Sequence, residues 1–318
     1  MSKMPLSRRE FIAGAGILLA GTALKLQGAA MPAPDAEQII DIHQHIGYMG
    51  RADADLMFHQ QALGVTKTIM LPAGTPVNRP STHDGKANGL QAKAGGNEAC
   101  YQLAKQYPGK LWFGANEVPD LPNATAEIEK YLKLGAVVIG ELKFGVDCDS
   151  KEMQKIYELA QAYNVPVLMH WQIHMYNYGL DRFHNMLAKY PKVNFVGHAQ
   201  TWWANIDKNY TEQQGLYPKT KITPGGITDR LLSDYPNVYA DLSAGSGLNA
   251  FTRDEEHAKM FLKKHQDKLM YGSDCIDVTG QVKDCSGAGT LAEVRKLAPD
   301  KKAVKKILYK NAQRLFRL

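Results

Sequence analysis

Two histidines one residue apart, in Asp41-Ile42-His43-Gln44-His45, close a short apolar run. In an extended strand, residues two apart project from the same side, so both imidazoles would reach one point. Paired imidazoles suit a borderline divalent cation such as zinc. A buried, hydrogen-bonded histidine pair would share that spacing, so the motif gains meaning from what accompanies it. Val167-Leu168-Met169-His170 and Asn194-Phe195-Val196-Gly197-His198 are further apolar runs ending in histidine. Leu269-Met270-Tyr271-Gly272-Ser273-Asp274 ends in aspartate, and Ile139-Gly140-Glu141-Leu142-Lys143 sets Glu141 and Lys143 on one side of a strand. A buried carboxylate or imidazole costs free energy unless it is paired or ligated. The expectation is that His43, His45, His170, His198 and Asp274 share a divalent ion, zinc by preference.

Such dispersed ligands need a fold that gathers them. Eight apolar runs read as strands: 38–44, 66–72, 111–117, 136–144, 166–171, 193–199, 238–243 and 268–273. Several are continuously apolar, as strands buried on both faces are. Amphipathic helical patterns lie between them, at 53–63, 97–107, 123–134, 150–163, 180–190, 227–235 and 252–265. Asn123 and Ser150 read as N-caps, and Gly64, Gly135 and prolines 108, 191 and 236 as stops. Strand–helix alternation argues for parallel pairing. Eight units argue for closure into a single-domain α/β (β/α)8 barrel over residues 31–318, whose strand C-termini surround one pocket. Two long loops, 73–96 and 201–224, leave that face. Trp202 and Trp203 read the second as a lid over the pocket.

Taken together, Asp41-Ile42-His43-Gln44-His45, the run ending in His170, Val196-Gly197-His198, Val238-Tyr239-Ala240-Asp241-Leu242-Ser243, Tyr271-Gly272-Ser273-Asp274 and the terminal Lys306–Phe316 segment resemble the amidohydrolase superfamily. The likeness is strongest to its amidohydrolase-2 branch, which includes hydrolases, lactonases, decarboxylases and hydratases. The resemblance implies a divalent metal, most readily Zn2+, held by His43, His45, His170 and Asp274. It implies His198 as a second-metal ligand or acid/base group, and Asp274 as the proton acceptor of the attacking water. Glu141 is a candidate ligand of the bridging-glutamate type. Lys143 is then its neighbour, an anchor for a substrate carboxylate, or half of a salt bridge with Glu141 that takes no part in chemistry.

Weaker candidates are Asn116, Glu117, Asp241 and Ser243 at strand ends, and His174, Tyr176 and Tyr178 in an aromatic-rich loop. His59, His184, His257 and His265 fall on helical patterns and read as surface or packing residues; His83 lies in the first long loop. A Gly-x-Ser-x-Gly elbow is absent, and Ser243-Ala244-Gly245-Ser246-Gly247 lacks its spacing.

Residues 1–30 read as a twin-arginine export signal: Ser7-Arg8-Arg9-Glu10-Phe11 precedes a mild Gly/Ala-rich apolar stretch and then small residues. That stretch is shorter than the ~20 residues a bilayer span needs. The implied location is the periplasm or another exported space, with no stable membrane insertion once the signal is removed. The formal charge of +6 falls to +3 without the signal. With no basic stripe present, that argues against nucleic acid and leaves a small molecule as partner, with homo-oligomerisation open. No Cys-x-x-Cys pair marks a structural zinc site. A Cys148–Cys275 disulfide and free thiols are both compatible with the sequence.

The reaction expected is metal-dependent hydrolysis of an ester, lactone or amide in a small, aromatic or carboxylated substrate. The alternatives are a decarboxylase or hydratase of the same architecture, or an exported metal- or ligand-binding protein without turnover.

Overall fold

The computed structural model describes residues 37–77, 94–281, 283 and 285–318. The export signal expected over residues 1–30, His83 and most of the first long loop lie outside these residues. The strands are β1 Ile40–Gln44, β2 Lys67–Met70, β3 Leu111–Phe113, β4 Ile139–Leu142, β5 Val167–His170, β6 Phe195–His198, β7 Val238–Asp241 and β8 Leu269–Met270. All pair parallel and in chain order, as a right-handed strand–helix repeat requires.

Regular ladders run β1–β3 and β4–β8. Two seams close them into a barrel. At β3–β4, Ala115 N–H donates to Val138 O (2.9 Å) and Gly140 N–H to Ala115 O (2.9 Å). At β8–β1, Ile42 N–H donates to Tyr271 O (3.1 Å) and Asp274 N–H to His43 O (2.8 Å). The predicted (β/α)8 barrel is the observed fold.

The register breaks once in β1, between Asp41 and Gln44, and once in β4, between Ile139 and Leu142. Such irregularities re-aim side chains. Ile42 packs in the inner barrel core with Ile69, Val138, Leu168, Val196 and Met270. His43, next to it, would face away in a regular strand, yet it reaches the mouth. The break in β4 does the same for Glu141. There Gly140 has φ +143°, and a Cβ would lie 2.7 Å from Leu168 O, so only glycine lets β4 approach β5 this closely.

The connecting helices are α1 Asp53–Ala62, α2 Asn97–Gln106, α3 Ala124–Lys133, α4 Lys151–Tyr163, α5 His184–Lys189, α6 Gln200–Ala204, α7 Ile227–Asp234, α8 Ala244–Thr252, α9 Glu255–His265 and α10 Ser286–Leu297. The chain ends in α11 Lys301–Lys305, a π turn and α12 Asn311–Phe316. Ala312, Leu315 and Phe316 of α12 join the inner core, so the last helix closes the barrel's floor. Among the described residues no helix is long and apolar enough to cross a membrane.

The sequence pattern misplaces several boundaries. One helix over 252–265 is two segments, because the Asp254 carboxylate caps α9 by accepting from His257 N–H (3.2 Å). Ser150 caps α4 through Met153 N–H (3.3 Å), whereas Asn123 occupies the N-cap of α3 without a side-chain hydrogen bond. The lid reading of Trp202 and Trp203 is also corrected. Both are fully buried in the short helix α6. A Cβ on Gly197 would lie 2.4 Å from the Trp202 ring, and Trp203 Nε1–H donates to Asp241 O (3.0 Å). The pair is a packing anchor under the mouth. The rim is formed further along, where Glu212 meets exposed His174 of the β5 loop at 3.1 Å.

Candidate metal centre

Five strand ends deliver the predicted residues to one buried spot at the C-terminal mouth. His43, His45, Glu141, His170 and His198 are 3% exposed or less, and the Asp274 side chain is 9% exposed. His170 and His198 are register partners on adjacent strands. Asp274 has φ +45°, and its N–H bond to His43 O ties the β8 loop to β1.

Hydrogen bonds fix the imidazoles. His43 Nδ1 lies 2.6 Å from the Asp241 carboxylate, and His45 Nδ1 2.7 Å from Leu71 O. A carbonyl or carboxylate only accepts here, so each Nδ1 carries a proton and Nε2 is the nitrogen left facing the site. Those two Nε2 atoms face each other at 3.2 Å. His198 follows the same pattern: Nδ1 donates to Ser243 Oγ (3.0 Å), which in turn donates to Asp241 (2.9 Å). His198 Nε2 and Asp274 Oδ1 are both buried without a hydrogen-bond partner among the described residues.

Two carboxylates stand among these nitrogens. Glu141 Oε2 lies 3.4 Å from His45 Nε2 and 3.7 Å from His43 Nε2. Its Oε1 lies 2.5 Å from His170 Nδ1 and 3.7 Å from His198 Nε2. Asp274 reaches His45 Nε2 at 3.6 Å, His43 Nε2 at 3.8 Å and His198 Nε2 at 3.7 Å. Most of these separations exceed hydrogen-bond length. They approach the roughly 3–3.5 Å between neighbouring ligands that each sit about 2.1 Å from a shared ion. The donor set therefore fits a divalent metal. His43, His45 and Glu141 form one convergent group, His43, His198 and Asp274 another, and Glu141, His170 and His198 a third.

The electrostatics point the same way. Burial opposes protonation of His43, but the charges of Asp274, Asp241 and Glu141 outweigh it and push its pKa well above the ordinary value. Burial also opposes ionisation of Glu141, yet Lys143, His170 and His43 hold its carboxyl well below the usual range. The His43 shift reports the negative potential of three carboxylates, which attracts a positive charge, and the Glu141 shift keeps its carboxylate ionised beside it. His198, by contrast, is lowered to about 3 by burial and by the neighbouring His43, so it stays neutral.

Lys143 is half-buried, with Nζ 5.6 Å from the Tyr176 ring centroid. Of the weaker candidates, Asp241 and Ser243 orient the histidines. Asn116 spans β2 and β4, its Nδ2 donating to Pro72 O (3.0 Å) and Glu141 O (2.8 Å). Glu117 does not face the cluster. It accepts from Thr75 N–H (2.8 Å) and Oγ (2.7 Å) and pins the β2 loop. Tyr48 was missed by sequence reasoning. Its ring stands edge-on to His45 at 4.9 Å, and its hydroxyl bonds to Asp274, whose charge raises the phenol's pKa. Its position three residues past the His-x-His pair was the available signal. All four cysteines are free. Cys148 S–H donates to Gly179 O (3.3 Å), and Cys275 neighbours Cys285 rather than Cys148.

Residues 40–318 match the family model described as Amidohydrolase, Amidohydro_2. The chain belongs to this amidohydrolase family. It is an enzyme of the amidohydrolase-2 type. No curated protein matches the chain. Solved structures resemble the fold. An uncharacterized TIM-barrel protein from Bordetella bronchiseptica has a TM-score of 0.58 at 16% identity, covering 88% of this chain and 98% of its own. A dihydroxybenzoic acid decarboxylase from Polaromonas, with bound manganese and 2-nitroresorcinol, gives 0.55 at 14% identity, covering 89% and 98%. The probable 2-pyrone-4,6-dicarboxylic acid hydrolase of Acinetobacter baumannii, with citric acid bound, gives 0.53 at 15% identity, covering 88% and 99%.

Proposed function

We propose that this amidohydrolase is a hydrolase that directs water onto an ester, lactone or amide bond of a small carboxylated substrate. One observation carries the reading. The Nδ1 protons of His43 and His45 are committed to Asp241 and Leu71 O, so the two Nε2 atoms face each other 3.2 Å apart, beside Glu141 and Asp274. The surrounding carboxylates hold a positive charge at this spot, as a proton on His43 in the metal-free site, which a divalent cation would replace. His43, His45, Glu141, His170, His198 and Asp274 would hold that cation, with zinc favoured by the imidazole-rich set.

The ion, when bound, supplies Lewis-acid polarisation of the scissile carbonyl and an acidified water. The protein supplies the rest. Asp274 accepts the water's proton at its unpartnered Oδ1 and delivers it to the leaving group. Neutral His198 presents a lone pair rather than a proton, which favours ligation over hydrogen bonding to an oxyanion. Tyr48 keeps its phenolic proton and can donate it in a hydrogen bond at the mouth. Lys143, between Glu141 and the Tyr176 ring, is placed to bind a substrate carboxylate. The Arg8-Arg9 segment supports a further proposal, export through the twin-arginine route of a mature chain beginning near residue 31.

The test is metal quantification on the purified chain, then a screen of esters, lactones and aromatic carboxylates with the wild type and Asp274→Asn. Hydrolysis that needs the ion and falls about 10²–10⁴-fold in the variant supports the reading. Carbon dioxide release without hydrolysis replaces it with a decarboxylase, and metal binding without any turnover replaces it with a binding protein. Near two ions per chain supports a bridging Glu141; near one removes that role.

A further inference from the structure

Away from the metal cluster, the loop after β8 brings a second set of reactive side chains together. Cys275 Sγ and Cys285 Sγ lie 3.0 Å apart, about 1 Å more than a sulfur–sulfur bond. Both are buried, at 5% and 1% exposure. Cys285 is the N-cap of α10 and accepts from Ala288 N–H (3.4 Å). Cys275 accepts from Gly287 N–H (3.2 Å). His59 of α1 places Nε2 3.2 Å from Cys285 Sγ.

Two cysteines and a histidine could equally suggest a metal, but the hydrogen bonds at His59 decide between the readings. Thr68 hydroxyl donates to Gln60 Oε1 (2.9 Å), and Gln60 Nε2 donates to Asp41 (3.1 Å). That orients the amide so that Nε2 also donates to His59 Nδ1 (3.2 Å). A neutral imidazole that accepts at Nδ1 carries its proton on Nε2. His59 therefore offers Cys285 a proton donor, where a metal would need a lone pair. Asp277, the nearest carboxylate to His59 at 3.8 Å, is occupied by Gly280 N–H at 2.6 Å.

We infer that Cys275 and Cys285 form a redox-active dithiol that small hydroperoxides close to a disulfide, with Cys285 as the attacking sulfur. The Cys285 sulfur attacks one peroxide oxygen. A sulfur–oxygen bond forms, the oxygen–oxygen bond breaks, and the departing oxygen takes the thiol proton. Cys275 sulfur then attacks the Cys285 sulfenic acid. The sulfur–sulfur bond forms and hydroxide leaves with the Cys275 proton as water. With hydrogen peroxide, two thiols and one peroxide give one disulfide and two waters. Burial selects an oxidant of this size over a bulky disulfide. The resulting clamp ties Cys275, next to Asp274, to the start of α10.

The experiment uses the full-length reduced protein, exposed to hydrogen peroxide, denatured, alkylated with iodoacetamide and mapped by peptide mass spectrometry. The expected product is a linked Cys275–Cys285 peptide, with Cys100 and Cys148 still alkylated. Cys275→Ser should halt at a Cys285 sulfenic acid trapped by dimedone, and His59→Gln should slow closure several-fold. Circular dichroism checks that the variants fold; if they do not, the wild-type map alone decides. Two outcomes overturn the proposal: both cysteines fully alkylated after an exposure that oxidises free glutathione, or a bound metal that shields them and is lost in Cys285→Ser. None of these readouts depends on the mouth holding an ion.

Discussion

Two buried histidine–carboxylate clusters in this barrel look alike in composition and differ in how their hydrogen bonds end. On the outer shell, Asp229 of α7 is met by His265 Nε2 at 2.6 Å and Lys264 Nζ at 2.8 Å. Each partner brings a proton to the carboxylate. At the mouth, the outward nitrogens of His43, His45 and His198 are bonded, and their inward nitrogens converge with Glu141 and Asp274 on one spot that a cation can share. The first cluster is closed and holds two helices together. The second is held in place from outside and left open within. Ring-nitrogen direction, rather than the presence of histidine and aspartate, marks a site that can take a cation.

If that difference is real, loosening the outer support of the mouth should cost ion affinity rather than fold. Asp241 touches no expected substrate position, yet it binds His43 Nδ1 and, through Ser243, fixes His198. In Asp241→Asn the amide can donate to Nδ1 and reverse the His43 tautomer. The expected result is a 10–100-fold weaker metal affinity, read by competition with a chelator, with a nearly unchanged far-ultraviolet spectrum. Unchanged affinity would remove the argument from ring-nitrogen direction.

The same comparison shows how far the sequence could be read. The ends of β5, β6 and β8 were legible because a continuous apolar run can terminate in His170, His198 or Asp274 only where a pocket or a partner receives them. The His43–His45 pair was legible from strand periodicity, although a register break in β1 is what carries it inward. Asp241 was legible as a strand-end candidate, but its role was not, since the partner that defines it lies 198 positions away. Tyr48 gave no periodic signal. Trp202 and Trp203 misled because aromatic residues in a long loop fit a lid and a buried anchor equally. Gly197, which makes room for Trp202, was the clue. His59 and His265 read as helix residues, and both are; that they are buried against Cys285 and Asp229 depends on contacts between distant segments.

The outer cluster sharpens the contrast through acid stability. Burial raises the Asp229 pKa, but the His265 and Lys264 hydrogen bonds dominate and hold it below the ordinary 3.8. A carboxyl whose folded pKa is depressed adds stability that is present above its unfolded pKa and lost as pH falls through the folded value. Asp229→Asn should therefore lower stability at neutral pH by about 1–2 kcal/mol, seen as a Tm lower by a few degrees. The difference from wild type should shrink below about pH 4, while turnover and metal content stay unchanged. A loss of bound metal in this variant would mean that the two clusters are not independent.

The smallest expected effect lies between the two regions, at Trp203. Its ring is buried near Phe251 and Phe261, with centroids 6.1 and 6.2 Å away, and its one polar bond goes to the Asp241 carbonyl. Trp203→Phe keeps most of the apolar contact and deletes that bond, leaving a buried carbonyl with one donor fewer. The cost should be about 1 kcal/mol, read as a shift in the denaturant midpoint without a change in slope. Because Trp203 packs beneath the mouth rather than over it, KM should not move. A KM change larger than the stability change would restore the lid reading and show that this segment opens during turnover.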